Sequence, residues 1–140
     1  MDDTDRELIG LLRDDARIPV ATLAAKLRIA RATVQNRLTK LEREGLILGY
    51  TVRLKAGSEA PRIRALMSIA VEGNRSAEVL TRLRGNPNVC TLHSTNGRWD
   101  IVAELRADSL ELFDGVLRVI RQIDGIANTE TSILLSTLKA

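Results

Sequence analysis

The hydrophobic period of this 140-residue chain changes once, at a small polar stretch ending in proline, AGSEAP over 56–61. Before it, apolar residues recur at helical spacing. After it, most of them alternate with a period of two, the mark of strands. One chain with two periods reads as two small domains, 1–55 and 62–140, joined by a linker at 56–61. The chain is 44% apolar and 28% charged, enough for both halves to bury a core. Tyr50, Trp99 and Phe113 are its only aromatics, so those cores are built from Leu, Ile, Val and Ala.

The same counts exclude several classes. No run of about 18 apolar residues exists, so no transmembrane helix fits. The start, MDDTDRE, is acidic where a secretory signal is basic and then apolar, and a cytoplasmic location is expected. Cys90 and His93 are the only residues of their kinds, which removes an intrachain disulfide and the zinc sites built from several Cys or His. Both lie on a strand pattern and read as packing residues. Neither a metal nor a cofactor is expected. Scarce aromatics argue against base stacking on single-stranded nucleic acid and leave the duplex open.

The first half reads as three helices. Leu8, Ile9, Leu11, Leu12 and Ala16 carry the first, with Asp2 or Thr4 as its cap and Thr4 and Glu7 at capping-box spacing. Pro19 opens a second, through Val20, Leu23, Ala24 and Leu27, where its missing amide costs nothing. After a break at Arg28-Ile29-Ala30, the third holds Val34, Leu38 and Leu41 on one face and stops before Gly45. Residues 46–55, LILGYTVRLK, read as a strand through Ile47, Tyr50, Val52 and Leu54. The sum is a winged helix-turn-helix.

The second half reads strand, helix, strand, strand, helix, strand, a ferredoxin-like βαββαβ unit in an α+β chain. Asn96-Gly97 signals a tight hairpin, Trp99 alternates with core positions of the following strand, and Thr131 to Leu138 is the last strand. Both helices cover one sheet face. The other keeps Leu66, Ala70, Cys90, Leu92 and Val102, an apolar face that calls for a second copy of the chain.

Charge is unevenly spread. Residues 1–25 hold three arginines against six carboxylates, whereas residues 26–55 hold eight cations against Glu42 and Glu44. That basic block contains the third helix. With Val34 facing inward, Ala32, Asn36 and Arg43 point away from the core, Thr33 and Lys40 lie beside them, and Gln35 and Arg37 flank the apolar stripe. Gln35 and Asn36 can pair bidentately with adenine, Arg37 can reach guanine or phosphate, and Lys40 and Arg43 suit phosphates. Small Ala32 and Thr33 allow close approach. The alternative is a solvated helix face.

The segments DDTDRELIGLLRDDAR, ATLAAKL, ATVQNRLTKLEREGLILGYTVRL, NGRWDIVAEL and TETSILLSTLK together resemble the Lrp/AsnC family, the leucine-responsive and asparagine-operon regulators. The resemblance spans nearly the whole chain. It implies a DNA-binding domain followed by an ACT-like (RAM) effector domain, dimers that assemble into tetramers or octamers, and an amino-acid effector bound between C-terminal domains. Three positions depart from the family pattern. Ala30 stands where a serine usually caps the recognition helix, Arg28 where the turn usually has glycine, and Pro19 where the second helix usually has a polar cap. Arg28 and Arg31 would add phosphate contacts in compensation.

The segment 94–100 offers pieces suited to an α-amino acid. Beside Asn96, Gly97 leaves backbone amides open to a carboxylate, Arg98 can bind a carboxylate or simply pair with Glu104 or Asp100, Asp100 can meet an ammonium, and Thr131 and Ser132 offer hydroxyls from the last strand. The resemblance places the effector near this Gly-x-x-Asp loop and the Thr-Ser-Ile strand; a plain hairpin is the alternative. Two other functions compete with a DNA-reading regulator: an amino-acid sensor without specific DNA binding, and an enzyme like the sirohaem decarboxylases, which resemble the same architecture. One histidine and no nucleophile–base pair argue against an enzyme.

Overall fold

The computed structural model describes residues 1–55, 57–60 and 62–139. The chain divides into two compact units, Met1–Leu54 and Lys55–Ala140. Ala56 and Pro61 of the expected linker lie outside the described residues.

Unit 1 contains α1 (Asp3–Asp14), α2 (Val20–Leu27) and α3 (Arg31–Arg43). Leu8 of α1, Leu23 and Ala24 of α2, and Val34 and Leu41 of α3 form its buried core. Each fully buried Leu or Val contributes about 1.5–3 kcal/mol relative to exposure. The first helix is capped by Asp2, but the capping box pairs Asp2 with Asp5 and not Thr4 with Glu7. Pro19 and Ala30 occupy the caps of α2 and α3, and neither end has a side-chain acceptor. Arg28 ends α2 at φ 56°, in the left-handed region where Cβ crowds the following carbonyl. Gly45, at φ 70°, ends α3 without that crowding and turns Leu46 and Ile47 so that both amides donate to the Leu41 carbonyl.

The expected strand at 46–55 does not form. A strand requires a neighbour to take its amides, and unit 1 supplies none among the described residues. Ile47 packs against the core, while Leu48 and Val52 are 94% and 83% exposed. The Tyr50 hydroxyl donates to Glu42 at 2.8 Å, holding the segment along α3. Unit 1 is thus a helix-turn-helix whose wing segment is irregular and unpaired.

Unit 2 contains β1 (Ile63–Val71), α4 (Ser76–Arg84), β2 (Val89–Ser94), β3 (Ile101–Ala107), α5 (Leu110–Arg121) and β4 (Ile126–Ile133). The sheet order is β2-β3-β1-β4, with every pair antiparallel. Ala65, Met67 and Ile69 of β1 and Ile101, Ala103 and Leu105 of β3 face Val79 and Leu83 of α4 and Phe113, Val116, Leu117 and Ile120 of α5. β4 begins and ends earlier than the expected 131–138. Gly125, at φ 99°, turns the chain directly into it. A Cβ there would come within 3.0 Å of Arg75 and 3.1 Å of Val79. At the other end the pairing stops at Ile133 opposite Ala65, and the last bond is Leu134 to the Arg64 carbonyl at 2.8 Å, although β1 itself extends to Ile63.

The open sheet face is less apolar than expected. A bulge between Val89 and Thr91 leaves Cys90 exposed and shifts the alternation, so Leu92 pairs with Ala103 and packs into the core. Leu66, Ala70 and Val102 remain on the open face, with Leu66 42% exposed, but they share it with Ser68, Glu104 and Glu130. Glu104, whose side chain is 18% exposed, is bonded by Arg64 at 3.0 Å and approached by Arg106 at 3.6 Å.

Candidate nucleic-acid interface and effector loop

α3 presents its faces as its spacing requires. Val34 and Leu41 are buried. Arg31, Ala32, Gln35, Asn36, Lys40 and Arg43 are exposed, as is Arg28 in the turn, and Thr33 is half-buried. The outer face therefore carries cations and amides, with free backbone N–H groups at an uncapped N-terminus.

Arg37 is the exception: its side chain, 28% exposed, is paired within the unit instead of standing free on the outer face. Its Nη1 donates to Asp2 Oδ2 at 2.7 Å and to Asp5 Oδ1 at 2.9 Å. Asp2 Oδ1 accepts from the Asp5 amide at 2.8 Å, and Asp5 Oδ2 accepts from the Asp2 amide at 3.1 Å. All four carboxylate oxygens are occupied, and both bonds of the guanidinium run from Nη1, while the buried Nε has no partner. The Arg37 guanidinium, and then the Asp5 amide, hold the Asp2 carboxyl down at about 2. The same two carboxylates, Asp2 first, push the Arg37 guanidinium up. Asp2 and Asp5 were legible only as caps; a cation flanking the apolar stripe opposite an acid-rich helix start was the available signal. Met1, Asp2, Asp5, Arg37, Thr33, Asn36 and Lys40 line one open cleft of about 510 Å³. In the segment after α3, burial first and the Glu42 carboxylate second push the Tyr50 phenol above its ordinary value.

In unit 2 the β2–β3 connection is a loop over 95–100 rather than a two-residue turn. Asn96 and Gly97 both lack the positive φ that such a turn demands. The Thr95 amide donates to the Asp100 carbonyl at 3.1 Å, and the Thr95 hydroxyl donates to the Trp99 carbonyl. Asp100 Oδ2 accepts the Val71 amide at 2.7 Å, so one oxygen of the expected ammonium ligand already serves the end of β1. Asn96, Gly97 and Arg98 are exposed. Trp99 lies outside β3 and outside the core, half-buried, with the Arg98 guanidinium 5.6 Å from its ring centroid. That is cation–π distance. Thr131 pairs with Met67 and Ser132 with Leu66, so the two hydroxyls point to opposite sheet faces and do not line one site together. The Thr131 hydroxyl is buried and has no hydrogen-bond partner.

A helix-turn-helix with a cationic outer helix, followed by a βαββαβ unit, defines a class: DNA-binding regulators with a separate sensing domain. The comparisons agree. Residues 1–42 match the AsnC-type helix-turn-helix domain and residues 64–140 the Lrp/AsnC ligand-binding domain. The chain belongs to the Lrp/AsnC family and is a DNA-binding transcriptional regulator. An uncharacterised HTH-type transcriptional regulator of Pyrococcus abyssi is 31% identical over 140 residues, covering 99% of this chain and 89% of the relative. The solved structure of E. coli AsnC superposes with a TM-score of 0.85 at 24% identity, over 100% of this chain and 95% of AsnC. A Neisseria meningitidis transcriptional regulator in complex with L-Met gives 0.82 at 20%, over 100% and 93%.

Proposed function

We propose that the outer face of α3 reads duplex DNA in the major groove. Gln35 and Asn36 contact base edges, Ala32 and Thr33 permit close approach, and Lys40 and Arg43 hold phosphates, joined by Arg28 and Arg31 at the turn. The observation that carries this reading is the division of α3 into a buried apolar stripe and an exposed face of amides and cations. Two copies of the chain present two such helices to half-sites about one helical turn apart. The residual apolar groups of the open sheet face, Leu66, Ala70 and Val102, support pairing through the sheets, and higher assembly to tetramers or octamers adds avidity.

An amino acid is the proposed effector, held near Asn96, Gly97, Arg98 and the free oxygen of Asp100. Ser132 and Thr131 act from different faces, so a site between copies would use at most one of them from each strand. The L-Met complex of the Neisseria relative supports this effector class. The protein works in the cytoplasm, without catalysis and without a cofactor. Selection of random duplexes by the full chain at about 150 mM salt, with Asn36→Ala/Lys40→Ala as control, tests the DNA reading. A motif of two half-sites, lost in the control, is expected; unrelated sequences recovered equally by both proteins would overturn it. Effector and DNA affinities must then shift each other by the same factor.

A second reading is a sensor that no longer discriminates DNA sequence. Left-handed Arg28 and uncapped Ala30 favour it, because both loosen the turn that aims α3.

A further inference from the structure

A DNA-reading α3 leaves the Asp2–Asp5–Arg37 clasp unexplained. An arginine on such a helix ordinarily faces the duplex, and two carboxylates beside the duplex ordinarily weaken binding. The carboxylates could mask a DNA contact, or they could fix the helix. The geometry decides between these. Asp5 is only 8% exposed, and its Oδ1 takes the Arg37 donor at 2.9 Å. An Arg37 swung out to a phosphate would strand that oxygen without its cation. Arg37 Nε is itself buried, though it has no hydrogen-bond partner, so the seating rests on Nη1 and on packing. The side chain is therefore seated in the unit rather than parked over it.

Its place in the sequence gives it leverage. Asn36 precedes it and Lys40 follows one turn later, and both line the same cleft as Asp2, Asp5 and Arg37. Side-chain heads lie roughly 6 Å from a helix axis, so a roll of about 10° displaces the Asn36 amide by about 1 Å. Bidentate recognition tolerates about half that.

We propose that Arg37 is a positioning residue: clamped by Asp2 and Asp5, it sets the roll of α3, so that discrimination of DNA sequence depends on two carboxylates that touch no DNA. This rests on the reading of α3 given above, and the test separates the two.

Affinities of the full chain for its selected duplex and for a scrambled duplex are measured across about 50–200 mM salt. The variants are Asp2→Asn/Asp5→Asn, Arg37→Met, Arg37→Lys and Asn36→Ala/Lys40→Ala, with helix content checked at the assay temperature. The carboxylate variant and Arg37→Met are expected to lower the selected-to-scrambled ratio about tenfold, the scale of one mis-set base contact. Scrambled-duplex affinity stays equal or rises, the salt slope is unchanged, and Arg37→Lys recovers part of the ratio. A merely structural role would lower both affinities together with helix content and leave the ratio intact. If Arg37→Met does not fold, the carboxylate and lysine variants carry the test. An unchanged ratio in Asp2→Asn/Asp5→Asn overturns the proposal. So does a salt slope smaller by about one contact in Arg37→Met but not in Arg37→Lys or the carboxylate variant, which would make Arg37 a phosphate ligand. If Asn36→Ala/Lys40→Ala keeps the ratio, the reading of α3 has failed and the clasp proposal falls with it.

Discussion

The start of α1 and the α2–α3 turn lie in one small helical unit, and their polar groups are treated oppositely. At the start of α1 the amides and carboxylates of Asp2 and Asp5 bond reciprocally, and Arg37 closes the set. At the turn, Ala30 caps nothing, and Arg28 bends through a conformation that suits glycine. A satisfied end can be static. An end with open N–H groups and a nearby cation remains free to take an anion from outside. The unit concentrates its internal bonding where nothing needs to bind and withholds it where a phosphate can.

The largest way to break this contrast is to remove what both regions stand on. Leu8→Ala, one turn beyond Asp5 and fully buried, is expected to cost about 2–5 kcal/mol in urea unfolding of unit 1. A loss under 1 kcal/mol would show that the core does not carry α1. Next, Arg28→Gly relieves the left-handed residue and is expected to stabilise by about 1 kcal/mol, while lowering the salt slope of DNA binding by about one phosphate contact. A stabilised protein with an unchanged slope would leave Arg28 without a role at DNA. Ala30→Ser restores a cap and is expected to add about 1 kcal/mol. If it instead weakens DNA binding, the open amides of α3 are themselves phosphate ligands.

The smallest effect is an acid one, and it sharpens the other side. The Asp2 carboxyl sits at about 2, below its ordinary 3.8. A carboxylate depressed in the folded state contributes stability that is complete above its unfolded value and fades as pH falls toward the folded one. Melting temperature should therefore drop between pH 4 and pH 2, more in the wild type than in Asp2→Asn. Identical acid profiles would mean that the clasp adds nothing on folding.

Local period carried the sequence reading a long way. Three helices, the α3 stripe and the βαββαβ order all follow from residues within a turn or a strand of one another. What failed depended on partners. The 46–55 segment has strand composition, but a ladder needs a second strand, and none lies in unit 1. Helical angle placed Arg37 on the flank of the stripe, but no local pattern could show carboxylates 32 and 35 residues earlier waiting there. One extra residue at the Cys90 bulge moved Leu92 from the open face to the core. Adjacent Thr131 and Ser132 were the legible case left unread, since neighbours on a strand face opposite ways.

The unpaired segment after α3 also makes the chain a clock. Among the described residues, the backbone from Leu48 to Leu54 makes no main-chain hydrogen bonds, and its side chains are largely in water. An exposed, unbonded backbone is readily drawn into a protease active site. Arg53 and Lys55 place tryptic sites at the boundary between the two units. Brief digestion should yield two resistant fragments before anything else. Whatever gives those amides a partner, another copy of the chain or a bound duplex, will slow that cut, and its rate reports how much of the population is assembled.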